Sequence, residues 1–120
     1  MKKTERQKLV ARLDKLVRER VLARDKYRCC KCEKPVSGCN AHVAHIISRR
    51  NYKLRWDMRN LRLLCYYDHI RWAHNSPLEF AEWFKGRYPQ DYKYLMKHKN
   101  DIASYSVADL YEIEENLQRS

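Results

Sequence analysis

Two Gly and three Pro in 120 residues leave the chain few places to turn freely. No internal repeat and no low-complexity linker interrupts it, so residues 1–120 read as one domain. No apolar run reaches the roughly 18 residues that a membrane-spanning helix needs. The basic N-terminus lacks the apolar stretch and small-residue cleavage site of a secretory signal. A cytoplasmic location is therefore expected. Thiols stay reduced there, and five Cys read as metal ligands or free thiols before they read as disulfides. Phe is nearly missing, with two residues, and nine Tyr and three Trp supply the aromatic mass. A core can form, and a domain of this size gains from a metal staple.

Acidic residues are the other shortfall, 15 Asp and Glu against 26 Lys and Arg, for a net charge of +11. Residues 1–75 carry 20 Lys and Arg against seven Asp and Glu, whereas residues 76–120 carry six against eight. The positive excess thus lies with the Cys and most of the His. A cationic surface of this kind gathers polyanions and steers their approach. Membrane-surface binding is disfavoured, because the basic stretches lack a strongly apolar face.

Leu9, Val10, Leu13, Leu16, Val17, Val21 and Leu22 recur at helical spacing and predict an amphipathic helix over 5–23. A knuckle follows at Cys29-Cys30-Lys31-Cys32, then a turn around Pro35 and Ser37-Gly38. Residues 41–47 read as a strand punctuated by His42 and His45, and Leu61 to Leu64 as a second one. A basic loop joins them. A helix is expected from Asp68 to about Asn75. Ser76-Pro77-Leu78-Glu79 predicts a helix start with Ser as N-cap and Glu three residues on. Further helices are expected over 91–99 and from about Ser106. The divisions are a basic helix at 1–24, a knuckle and core at 25–75, and C-terminal helices at 76–120.

Cys29-x-x-Cys32 is the first half of a zinc site, since thiolates at this spacing chelate one ion from a tight turn. Cys65-x-x-Asp68 supplies the second half, and Asp is a harder ligand than Cys. His69 competes with Asp68 as fourth ligand, and Cys30 and Cys39 are spares. His42, His45, His69 and His74 fall within 33 residues around the knuckle. Such clustering argues for a second metal site or for acid–base work.

These segments, taken in order, resemble the HNH endonuclease pattern: Cys29-x-x-Cys32, Ala44-His45-Ile46-Ile47-Ser48-Arg49-Arg50, Leu54-Arg55-Trp56-Asp57-x-x-Asn60-Leu61 and Leu64-Cys65-x-x-Asp68-His69. More narrowly, His-Ile-Ile-Ser-Arg-Arg and Arg-Trp-Asp-x-x-Asn are similar to phage and bacterial recombination nucleases of the NinG type. The resemblance covers about residues 18–100. It implies an α+β fold with a ββα-metal (His-Me finger) core, a zinc knuckle and flanking helices. It also implies that His45 activates water, that Asn60 ties down the loop between the strands, and that His69 binds the catalytic ion. Cys29, Cys32 and Cys65 match the structural zinc ligands. Two positions depart from the pattern. Asp68 stands where the family has a fourth Cys, and Ala44 where many members have an ion-binding Asp or His. The catalytic ion then rests on His69, phosphate and water, with His42 or His74 as helpers.

Phosphodiester hydrolysis needs a water deprotonated near neutral pH, which a neutral imidazole can do, and charge stabilisation from a divalent ion such as Mg²⁺ or Mn²⁺. It also needs the anionic backbone held. Arg49, Arg50, Lys53, Arg55, Arg59 and Arg62 are the phosphate-binding candidates, Tyr52 is interleaved with them, and Trp56 is expected in the core. The expectation is a metal-dependent DNA endonuclease with structural Zn²⁺, acting in phage or mobile-element recombination or DNA processing. The competing expectations are a non-catalytic zinc-stapled DNA-binding module and a protein whose basic face binds an acidic partner.

Overall fold

The computed structural model describes residues 2–119. Helix α1 runs Glu5–Arg24 and starts on a capping box: the Thr4 hydroxyl accepts from the Gln7 amide at 3.1 Å, and the Gln7 side chain accepts from the Thr4 amide at 2.9 Å. Leu9, Leu13, Val17 and Val21, four residues apart, form its buried stripe, and most of its charged residues are exposed. That stripe meets Leu110 and Leu117 of the last helix, α4, Val107–Arg119. Arg12 clasps Glu114 with two bonds of 2.9 and 3.0 Å. Arg20 donates to the carbonyls of Leu117 and Gln118, where the helix leaves acceptors unpaired.

The sheet has two antiparallel strands, β1 His42–His45 and β2 Leu61–Leu64, with His42 opposite Leu64 and His45 opposite Leu61. The expected first strand at 41–47 is shorter in the structure, for a local reason. Ile46 N–H still bonds the Asn60 carbonyl at 3.0 Å, but Ile47 N–H turns to the Asn60 side-chain oxygen at 2.7 Å. A side chain takes over from the ladder, and the chain leaves the sheet. β2 is buried along its whole length and lies against α1.

The helix expected from Asp68 is a π-helix, Tyr67–Ala73, with His74 N–H bonded to His69 C=O at 3.1 Å, five residues back. Helices α2, Pro77–Arg87, and α3, Pro89–His98, follow, each with Pro in its first turn. The capping box expected at Ser76 does not form. The Ser76 side chain caps nothing, and Glu79 is taken by Trp72 Nε1 at 3.2 Å. Ser106 and Asp109 make the reciprocal pair instead, at 3.1 and 2.9 Å, at the start of α4. Leu54, Phe84 and Leu95 form a second buried cluster, which fastens the loop between the strands onto α2 and α3. The class is α+β, mixed helix with a two-stranded antiparallel sheet. Among the described residues no helix is long and apolar enough to cross a membrane.

Candidate metal centre and active site

The knuckle is a tight loop after α1. Lys26 and Tyr27 take left-handed φ of 57° and 58°, Glu33 takes 66°, and Arg28 and Pro35 bridge across. Cys29 N–H bonds Lys34 C=O and Glu33 N–H bonds Cys29 C=O, each at 2.9 Å, which turns both thiols to one side. Cys65 leaves the end of β2, and Asp68 sits in the first turn of the π-helix. The ligand atoms of Cys29, Cys32, Cys65 and Asp68 all lie within 4.8 Å of one another, positioned to hold a metal ion. Cys32 and Cys65 Sγ are 3.9 Å apart. Two thiolates in a tetrahedron with ~2.3 Å bonds stand about 3.8 Å apart.

The environment of these four side chains fits a cation. Asp68 is buried, and among the described residues its side-chain hydrogen bonds go to thiols, Cys29 at 3.2 Å and Cys65 at 3.4 Å. A buried carboxylate with no basic partner is costly unless a positive ion joins it. Burial pushes the Cys29 thiol up to about 12 and raises Cys65 as well, and a bound metal ion reverses that direction. Main-chain N–H groups of Cys32 and Asp68 point at Cys29 and Cys65 sulfur at 3.5 and 3.4 Å. Of the two candidates for fourth ligand, Asp68 joins this set and His69 faces another way. Cys39 is exposed and Cys30 lies near Asp25 and Tyr88, so neither spare joins it.

His69 belongs to a second group of side chains. Its Nδ1 lies 2.9 Å from His42 Nδ1, and the His74 ring packs edge-on against it with centroids 4.5 Å apart. Burial, then the neighbouring His74, His42 and His45, push His69 down to about 4, so it is neutral at pH 7. Strand pleating puts His42 and Ala44 on one side of β1, but Ala44 is buried and has no ligand atom to give.

His45 closes β1. Its Nε2 lies 3.2 Å from the Arg55 carbonyl, which can only accept, so Nε2 carries the proton and Nδ1 is bare. Burial holds its pKa below the ordinary imidazole value. His45 and His74 line one cleft of about 490 Å³, with Pro77 and Phe80 as apolar wall. Asn60 is fully buried, and its amide donates to Ile47 C=O at 3.0 Å and Leu54 C=O at 3.1 Å. One side chain therefore pins both ends of the segment following His45. A larger hollow, about 680 Å³, lies away from the histidines, between the start of α1 and residues 103–105.

The loop cations divide. Arg49, Arg50 and Lys53 are exposed, although Arg49 also reaches Asp14 at 3.3 Å. Arg59 is about half exposed, paired with Asp57 at 2.8 Å and lying over the Tyr94 ring. Arg55 and Arg62 correct the sequence reading. Arg55 is buried and clasped by Asp14 at 2.6 and 3.0 Å. Arg62 is buried, bonded to Asp91 and stacked on Tyr88. With their guanidinium groups committed to internal carboxylates, neither is free to meet a phosphate. Trp56 is in the core as expected, donating to Asp14 at 2.8 Å.

Asp14 is the residue that sequence reasoning missed. It looks like one more polar position on α1, and its partners lie 35 to 42 residues away. Asp25 is similar: it accepts from the Leu63 amide at 3.0 Å and ties the end of α1 to β2. No protein-family model, no curated protein and no solved structure matches the chain.

Proposed function

We propose that this protein is a metal-dependent DNA endonuclease of the HNH type, with β1, β2 and the π-helix as a ββα-metal core and Cys29, Cys32, Cys65 and Asp68 as a structural Zn²⁺ staple. The observation that carries the reading is His45. Its Nε2 proton is fixed on the Arg55 carbonyl, its bare Nδ1 belongs to a neutral ring, and it lines a cleft beside a second group of histidines.

In this reading His45 Nδ1 takes the proton from the attacking water. Asn60 keeps the His45 segment in place through its three bonds to Ile47 and Leu54. Arg49, Arg50 and Lys53 hold the DNA backbone, with the exposed part of Arg59 at their edge. His69 holds the catalytic divalent ion, which supplies charge stabilisation to the scissile phosphate and the leaving oxygen. Zinc suits the staple because three soft thiolates dominate a four-coordinate set that one harder carboxylate completes.

The test is cleavage of supercoiled plasmid by purified protein under a panel of divalent ions, parent against His45→Ala. Ion-dependent cutting that His45→Ala abolishes supports the nuclease. Metal-dependent folding and DNA binding with no cutting by the parent would instead favour a zinc-stapled binding module.

A further inference from the structure

We propose that His42 supplies the ion ligand that Ala44 cannot, so that His42 and His69 bind the second ion through their two Nδ1 atoms and prefer a transition-metal ion over Mg²⁺. The inference deepens the nuclease reading.

His42 has the hydrogen-bond arrangement of a metal-binding imidazole. Its Nε2 lies 2.9 Å from the Cys39 carbonyl, so that nitrogen carries the proton and Nδ1 has a free lone pair. Ligand histidines characteristically donate the second ring N–H to a carbonyl or carboxylate in this way. The lone pair is aimed at a second Nδ1, that of His69, 2.9 Å away. Two nitrogens bound at about 2.1 Å and at right angles to one ion stand about 3.0 Å apart. The spacing therefore suits neighbouring corners of an octahedron, with water and phosphate oxygens at the others.

Both rings are held before any ion arrives. His42 is fixed in β1, Tyr66 packs edge-on against it at 5.7 Å between centroids, and His74 packs against His69 from the other side. The donor chemistry sets the preference. Imidazole nitrogen suits Zn²⁺, Ni²⁺, Co²⁺ and, more weakly, Mn²⁺, whereas Mg²⁺ wants oxygen ligands and keeps its water. The same residues without an ion make a plain Nδ1–H···Nδ1 hydrogen bond, which is the alternative to exclude.

Tag-free, zinc-loaded protein is titrated calorimetrically with Ni²⁺ in the absence of DNA, and zinc release is monitored. The expected result is one equivalent of Ni²⁺ per chain with zinc retained, unaffected by millimolar Mg²⁺. His42→Ala and His42→Gln should each weaken that uptake by at least about tenfold, the least that loss of even an outer-shell partner costs, with zinc content and melting unchanged. No uptake beyond the zinc site, displacement by Mg²⁺, or uptake indifferent to both His42 variants overturns the proposal. Because no DNA is present, a protein that binds Ni²⁺ through His42 yet never cuts retains this site and loses only the nuclease reading.

Discussion

Asp14 of α1 and Arg55 of the inter-strand loop form a two-pronged ion pair, with Arg55 Nη2 and Nε donating to the two carboxylate oxygens at 2.6 and 3.0 Å. The same Arg55 offers its main-chain carbonyl to His45 Nε2. The N-terminal helix thus reaches the proposed base through one residue. Arg55 lowers the Asp14 pKa against the opposing effect of burial, as expected of a committed pair.

Asp14→Ala should therefore destabilise the fold by about 1–3 kcal/mol, because it leaves the buried Arg55 guanidinium and the Trp56 N–H without their acceptor. Urea unfolding measures this. Cutting should fall more than binding does, since the Arg55 carbonyl that orients His45 loosens, and Asp14→Glu should restore part of the loss. An Asp14→Ala protein with parent stability and parent turnover would refute the link.

His45→Ala should lower cleavage by about 10²–10⁴ while zinc content, melting and DNA affinity stay near the parent values. The pH profile refines this. An unperturbed imidazole base fails below about 6.5. Burial lowers the His45 pKa, so the base form survives into more acid solution, and the acid limb of kcat/KM should lie below that value. A limb above 6.5 would assign the titration to another group.

Stability should also respond to acid through His69. Its folded pKa, about 4, lies below the ordinary value of 6.5. Between these values the unfolded chain binds a proton that the folded chain refuses, so stability falls as pH drops from 6.5 toward 4 and is insensitive to this group above 6.5. Melting of parent and His69→Gln across this window checks the sign: the substituted protein should lose less stability on acidification.

The loop cations should separate by burial. Arg50→Ala and Lys53→Ala should each reduce the slope of log affinity against log salt by ~0.9, the contribution of one phosphate contact. Arg55→Ala should not act through the salt slope. Its effect should be a lower melting temperature, because it abandons the Asp14 carboxylate. Equal slopes for the Arg50 variant and the parent would remove Arg50 from the binding face.

Removal of the staple should unfold the core. A strong chelator or Cys29→Ala should lower the melting temperature sharply, since Cys29 is buried and joins the knuckle to Asp68. Asp68→Cys should bind zinc at least as tightly as the parent, because it completes a four-thiolate set. Asp68→Ala should weaken zinc binding and leave His42 and His69 in place. Full stability without metal would dismiss the staple.

Features that rest on local chemistry are legible in the chain. The 3.6-residue spacing from Leu9 to Val21 wrote α1, and the apolar Leu61 to Leu64 run wrote β2 within its observed bounds. The Cys29-x-x-Cys32 and Cys65-x-x-Asp68 spacings named the three thiols and narrowed the fourth ligand to Asp68 or His69, because a knuckle and a helix turn each set their ligand geometry within a few residues. Whatever depends on distant partners is set by the fold. Asp68 rather than His69 joins the thiols, because adjacent residues of a helical turn project in different directions and the His69 ring is engaged by His42 and His74. Arg55 and Arg62 look like their neighbours Arg49 and Arg50 in sequence, yet they are drawn inward by carboxylates on α1 and α3. Charge pairing across 29 to 41 residues leaves no periodic trace in the chain, so only the fold assigns it. The same holds for His42 and His69, whose nitrogens meet across 27 residues only after β1 has paired with β2 and the π-helix has turned back over it.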